Sequence, residues 1–390
     1  MVEASQSKDK PVFPRWDRQF YFCLALAACI LIPRAVLIAR QHSEPTDSLR
    51  HLRHGLAFML GYRDQIAIHV NDPPGGQMLL VLPMVLTGCT PDRPICDWSW
   101  PASEMKPGTR PPGEPQPTEE RARYERLIRH ETLFGNRLKP EAILLIIAIW
   151  KSVLFIPCVG VIFQWIRAVF GKRAAWLSVA LILIDPTFAG HIPIAAVDSL
   201  AVEGIVISCY LMWRYFEAES TPRLAAVAAS VAASILLKHT AVFLPAIFVL
   251  YAIYYWIWRP WRSGNLARQW RENLRPRRVG FATAVLVGFV TLWSLLLFDV
   301  SRPIDQVWEI FPTQKAGNEL NWLQRILQQR MPCGAYVGCF TSGYFTNRNA
   351  PQPAYLWGKI SNNGFWYYFP VLMTYKVPIG IAFVGIFAIV

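Results

Sequence analysis

The chain has 390 residues, of which 53% are hydrophobic, with 16 Trp and 22 Phe. A soluble domain rarely has this composition; an integral membrane protein does. A formal charge of +13 raises nucleic acid as a partner, but the cations collect in 1–18, at Lys172-Arg173, near Arg223 and in 259–278 with no recognition motif, which excludes that class.

In chain order, a basic tail at 1–19 precedes an apolar run at 20–38. That run has no clear small-x-small cleavage site and passes at once into a polar helix, so it reads as an uncleaved span, not a signal peptide. From Asp47, positions +3, +4 and +7 are Arg50, His51 and His54, all on one helical face, with Leu49, Leu52, Leu56, Met59 and Leu60 on the other. The pattern predicts an amphipathic helix lying in a membrane interface with its charged groups turned outward. Pro73-Pro74 opens an apolar helix at 77–86 that is too short to span. Residues 89–135, rich in Pro, Arg and Glu, read as a loop with a helix at 118–129.

Further apolar runs follow at 142–166, 174–184, 199–216, 224–237, 241–258 and 281–298, with a last one ending at Val390. A crossing takes about 20 residues, so 174–184 and 224–237 are short. Alternation puts the basic stretches on one side, cytoplasmic by the positive-inside rule. The loops 41–140 and 300–365 then face the periplasm or an equivalent lumen. The expectation is an all-α polytopic membrane protein, one domain over 20–390 without internal repeat. Lys376-Val377-Pro378 interrupts the final run, and 378–390 would cover about 20 Å of a roughly 30 Å core, so a fragment of a longer protein is expected.

Of eight cysteines, Cys23, Cys29, Cys158 and Cys209 read as packing residues of apolar spans. Cys89/Cys96 and Cys333/Cys339 fall in the outward loops, where each pair could form a short disulfide in an oxidising compartment.

The residues able to carry chemistry sit near the same ends of the spans. Asp47 heads the interfacial helix, as a cap or as a functional acid among Arg50, His51 and His54. Asp198 stands at the mouth of the 199–216 run, as an N-cap, a functional group or both. His191 lies in the turn before it. Lys238 breaks the apolar pair 224–258, and an intramembrane cation is normally paired with an anion, a lipid phosphate among the choices, unless it snorkels to the interface. The aromatic run around 355–370 reads as an interface belt, with Lys359 and Lys376 able to reach phosphate or headgroups. His51, His54, Asp47 and Asp72 could gather a divalent ion, though carboxylate–imidazole pairing accounts for them equally. No Gly-rich phosphate loop, HExxH or GxSxG is present, so ATP hydrolysis, zinc proteolysis and lipase chemistry have no support.

Taken in order, Asp47, His51, Gly55 and Asn71-Asp72-Pro73-Pro74; Pro186, Ala189-Gly190-His191 and Asp198; Leu237-Lys238; Tyr355-Leu356-Trp357-Gly358, the run 364–370 and Lys376-Val377-Pro378 resemble a bacterial branch of the GT-C superfamily. Its members are polyprenyl-phosphate-sugar-dependent glycosyltransferases related to protein O-mannosyltransferases and lipid A aminoarabinose transferases. The resemblance implies a GT-C-type helix bundle with juxtamembrane helices in the first outward loop. It implies inverting transfer of a sugar from a polyprenyl phosphate to an acceptor on the outer face of a bacterial inner membrane. Asp47 would be the general base and Asp198 would orient the acceptor or Asp47. Arg50, His51, His54, Asp72, His191, Lys238, Tyr355 and Lys359 would bind substrate. Two departures stand out: Ser48 occupies the position where the family has Glu, and the family continues past Val390 with further spans. The alternative is a catalytically degenerate homologue acting as a membrane scaffold or lipid-binding protein. A transporter would place ionisable groups near the midplane on broken, repeated helices, a pattern this sequence lacks.

Overall fold

The structure, a computed structural model, describes residues 16–41, 46–60, 72–88, 138–264, 266–303, 322–349, 354–361, 364–368 and 370–372. The loop at 89–135 with its expected helix, Cys89/Cys96, most of the 1–19 tail, Lys376 and the run ending at Val390 lie outside the described residues.

Every apolar run expected within the described residues forms a helix. They are α1 (Arg18–Gln41), α2 (Thr46–Met59), α3 (Pro74–Leu86), α4 (Pro140–Phe170), α5 (Lys172–Ile184), the short α6 (Pro186–His191), α7 (Asp198–Glu217) and α8 (Thr221–Leu237). Next comes α9 (His239–Arg262), which opens as a 3-10 turn and carries a π segment at Tyr254–Trp258. It is followed by α10 (Leu266–Leu295), α11 (Trp322–Leu327) and α12 (Gly334–Asn349). Of these, α1, α4 and α9 are long and apolar enough to cross a membrane. The chain is thus an all-α membrane helix bundle. Strand is confined to two antiparallel pairs among the described residues. One joins β1 (Val300–Ser301) to β2 (Met331–Pro332); the other is a hairpin of β3 (Ala354–Leu356) and β4 (Lys359–Ser361). Trp357 and Gly358 form the hairpin turn, both at positive φ (49° and 78°), as a tight two-residue turn demands.

The spacing of buried residues explains the bundle. In α1, Phe20, Cys23, Ala27, Leu31 and Ala35 recur every three or four positions. Most of this stripe packs on Phe155, Cys158, Val159 and Phe163 of α4 and on Ala175, Val179 and Leu183 of α5. Asp17 accepts from the Phe20 amide at 3.0 Å and pairs with Arg167 at 2.9 Å, which sets the start of α1 beside the end of α4. The basic residues Lys172, Arg173, Arg223, Arg259 and Arg262 lie at helix termini on this same end of the bundle. At the opposite end, Arg34 donates to the Leu183 carbonyl at 2.8 Å.

That opposite end has its own core. Leu52, Leu56 and Phe58 of α2, Met78, Leu80, Val81 and Met84 of α3, Ile143 and Ile147 of α4, Leu236 and Leu296 come together with Cys333, Ala335 and Cys339. The described parts of 41–140 and 300–365 therefore share one core with the helix ends. Two expectations change here. His51 and His54 are buried at 7% and 5% exposure rather than turned outward, with α3 packed closely against α2 and Gln77 3.4 Å from His51; Arg50 alone of the three is exposed. Cys333 and Cys339 are free and buried, not bridged. They lie six positions apart at the start of a helix, roughly 9 Å along its axis, beyond the reach of a disulfide.

Close approach of α2 to α3 depends on Gly55, where a Cβ would overlap the Gln77 carbonyl. Because the obstacle is backbone, Gly55→Ala is expected to cost about 1–3 kcal/mol, as overpacking does. The loss should appear as a lowered Tm in detergent, with helix content of the folded protein unchanged.

Candidate functional site

Two charged residues meet where α7 begins and α8 ends. Asp185 caps α6, its Oδ1 accepting from the Thr187 and Phe188 amides at 2.7 and 2.9 Å. The chain then runs through bends at 192–197 into α7. Val197 is the N-cap, so Asp198 sits in the first helical turn and does not itself cap, contrary to the capping alternative. Lys238 is the C-cap of α8. Each charge thus lies at the helix end whose dipole favours it. The two side chains form an ion pair across 40 residues of sequence. Lys238 therefore finds its anion within the protein. Gly204 lies against the Ser234 side chain and the Ser208 and Ser234 hydroxyls are 3.0 Å apart, so α7 and α8 run close enough for their ends to meet.

The first loop is fastened to this pair by backbone packing. A Cβ on Gly75 would stand 2.7 Å from the Leu236 Cβ, and one on Gly76 2.5 Å from the Leu237 carbonyl oxygen. The first turn of α3, begun by Pro74 at N1, therefore rests on the two residues before Lys238. On α2, His51 Nδ1 is 3.4 Å from Gln77 Nε2, and His51 is near enough to act electrostatically on Asp198. The second loop closes in from another side. Asp299 is buried, and its Oδ2 accepts from Ser301 Oγ at 2.8 Å and from the Ala335 amide at 2.9 Å, which pins the start of α12. Tyr336 and Phe340 of α12 bring their rings within 5.6 and 5.5 Å of His239.

The Asp198 carboxyl lies below its ordinary value. Burial raises it, and the hydrogen bond and charge of Lys238, with His51 and Lys151 further off, outweigh that. The buried thiols move the other way. Burial lifts Cys333 to about 11, with Asp299 adding to it, and Cys339 to about 12, with Asp72 and Asp299 adding to it. Both stay protonated and inert at neutral pH.

Of the residues singled out in the sequence, His51, Asp198 and Lys238 come together. Asp72, half-buried just before α3, is close enough to bear on Cys339 of α12. His191 is exposed at the end of α6. Tyr355 and Lys359 are exposed on the β3–β4 hairpin, and among the described residues no hydrogen bond or ion pair joins them to the Asp198–Lys238 pair. Asp47 belongs to the first turn of α2, and its side chain lies outside what the structure describes. Among the described residues no three His, Cys, Asp or Glu side chains converge as a metal cage.

Lys151 and Glu203 are functional candidates that the pattern reading passed over. Lys151, in the interior of α4, is fully buried and donates to the carbonyls of Ile194 and Ala196. Glu203, on α7 one helical turn and a residue beyond Asp198, is 7% exposed and near enough to Lys151 for their charges to interact. Both interrupt apolar runs, and an ionisable residue in such a run is itself a signal of function.

A carboxyl whose folded value is lowered stabilises the fold above its unfolded value, and that contribution disappears as pH falls through the folded value. Asp198→Asn is therefore expected to flatten the acid limb of a Tm-against-pH profile by lowering the neutral region, by no more than the about 1 kcal/mol of an exposed pair, while the two proteins converge in acid. Equal acid limbs in the two proteins would remove the pair from the account of stability.

Comparison with known proteins gave one family. No curated protein and no solved structure matched. Residues 132–293 match the family model of dolichyl-phosphate-mannose-protein mannosyltransferases, a stretch that contains α4 to α9 and most of α10. Together with the long apolar helices, this match agrees with GT-C superfamily membership and supports an integral membrane glycosyltransferase that draws on a polyprenyl-phosphate-linked sugar.

Proposed function

We propose that the chain transfers a sugar from a polyprenyl phosphate to an acceptor hydroxyl or phosphate at the membrane face where α7 begins and α8 ends, by a single inverting displacement. The observation that carries this reading is the Asp198–Lys238 pair, set at paired helix ends against which α3 packs and within the stretch matched by the family. The opposite end of the bundle carries the basic helix termini, which supports a cytoplasmic N-terminus and a site facing the periplasm of a bacterial inner membrane. Residues 20–390 act as one membrane domain.

In the displacement, the acceptor oxygen attacks the anomeric carbon and the bond from that carbon to the phosphate oxygen breaks. Asp47 takes the acceptor proton. The polyprenyl phosphate leaves with one more negative charge and is acidic enough to need no strong general acid. It does need positive charge where its own charge grows, which Lys238, Arg50 and His54 supply. Asp198 orients the acceptor and holds Lys238 in place. His51, Asp72, His191, Tyr355 and Lys359 complete the substrate contacts.

A second reading, a non-catalytic lipid-binding homologue, is favoured by one observation. Ser48, where the resemblance calls for Glu, is 1% exposed, and its hydroxyl has no hydrogen-bond partner among the described residues. Turnover of a polyprenyl-phosphate sugar by protein in liposomes separates the two. Asp47→Asn is expected to lower kcat by about 10²–10⁴-fold, the range of a lost general base, with the elution profile and Tm of the wild type. Lys238→Met is expected to lose about 10²–10³-fold. Wild-type turnover in Asp47→Asn would sink the base assignment. Donor lipid that co-purifies without turning over would select the lipid-binding reading.

A further inference from the structure

The bends at 192–197 that deliver Asp198 lie outside the regular hydrogen-bond ladder of α6 and α7. The Ile192 amide reaches back to Phe188 at 3.0 Å, Pro193 has no donor, and the Ala196 amide bonds the Ile194 carbonyl at 2.7 Å, a turn too local to fix the segment against its surroundings. Ile192, Pro193, Ala195 and Val197 are nonetheless buried. Buried carbonyls in such a stretch need donors from elsewhere.

The donor is Lys151. Its ammonium reaches the Ile194 carbonyl and, at 2.6 Å, the Ala196 carbonyl, so one cation closes over both ends of the Ile194–Ala196 turn. The side chain is 0% exposed, in the interior of a helix long and apolar enough to span a membrane, where a charge is costly unless something holds it there. Glu203 lies close enough to act on Lys151 electrostatically, but its Oε1 has no hydrogen-bond partner among the described residues. Charge neutralisation and geometric anchoring are thus separable at this site. The two carbonyls receive the second, whatever the charge on Glu203.

We infer that Lys151 is a positioning residue, whose grip on the Ile194 and Ala196 carbonyls holds the 192–197 segment so that Asp198 meets Lys238. The inference rests on the reading of that pair as part of a transfer site. Lys151 touches neither the acceptor nor the donor; it acts through the backbone two and four residues before Asp198.

The plain rival is that Lys151 only neutralises Glu203, and the test separates the two. Wild type, Lys151→Met and the double variant Lys151→Met/Glu203→Gln are compared in liposomes for turnover and for hydrogen exchange of the peptide covering 192–200. The double variant removes both buried ionisable groups together, so it remains informative if Lys151→Met alone fails to fold. Under the inference the double variant folds and exchanges faster across 192–200. Its kcat falls about 10²-fold, the scale of a small misplacement of a working group, while KM for the donor stays near wild type. Wild-type protection and wild-type turnover in the double variant would overturn it. Asp198→Asn is run in parallel. If that variant turns over normally, the transfer-site reading fails, while hydrogen exchange still reports whether Lys151 holds the segment.

Discussion

The arrangement at the functional end depends on how closely the first turn of α3 lies against the end of α8. Gly75 and Gly76 leave no room for a side chain between that turn and the backbone of Leu236 and Leu237. With α3 seated there, α2 seats on α3 through Gly55, and this chain of contacts brings His51 near Asp198. A methyl group at any of these positions would separate backbones, and the electrostatics would weaken with the distance. Helix packing and charge placement are one constraint here. The glycines bear on the site without contributing a functional group to it.

The buried charges follow from the same geometry. A kinked entry into α7 exposes carbonyls in a region where water cannot serve them, and a lysine inside an apolar helix would be equally unfavourable alone. Each answers the need of the other. Glu203, buried on α7, lies near enough to act on that lysine electrostatically. Such a cluster contributes little net stability compared with a well-packed apolar one, but removing one member leaves the others buried without compensation. Its value lies in the single conformation it enforces.

Much of the bundle was legible in the sequence because hydrophobic length and period report directly on helices in a membrane. The runs at 20–38, 142–166 and 199–216 appear as α1, α4 and α7 with ends shifted by a few residues. For 281–298 the shift is larger: α10 begins at Leu266, since the Leu, Gln, Arg and Glu of the basic stretch are good helix formers, and it ends before the left-handed Leu297 and Phe298. Asp198 and Lys238 stood out because each is charged beside an apolar run. Their pairing was not legible, as it depends on how two helices 40 residues apart cross. The inward turn of His51 and His54 escaped for a related reason. An amphipathic pattern distinguishes two faces but cannot say that a neighbouring helix will cover the polar one. Lys151 was hidden by averaging: one cation in the interior of α4 barely alters the hydropathy of a 31-residue helix. Asp185 had a readable local signal, an acid directly before Pro186 at the first helical position, which is a capping pattern.

The uneven exposure of the Asp198–Lys238 pair bears on how it would work in the proposed transfer. The carboxylate is 64% exposed and the ammonium 27%, so the pair lies at a wet margin with its cation toward the protein. Exposed pairs contribute only about 0–1 kcal/mol, so little is lost if another anion takes the place of the carboxylate. A phosphate arriving at Lys238 would compete with Asp198 on nearly even terms, and the dipole at the end of α8 would keep the cation in place during the exchange. The released carboxylate would remain in the first turn of α7, held there by the segment that Lys151 grips, and free to accept from an acceptor hydroxyl. One ion pair would thus couple donor arrival to acceptor alignment without any helix having to move.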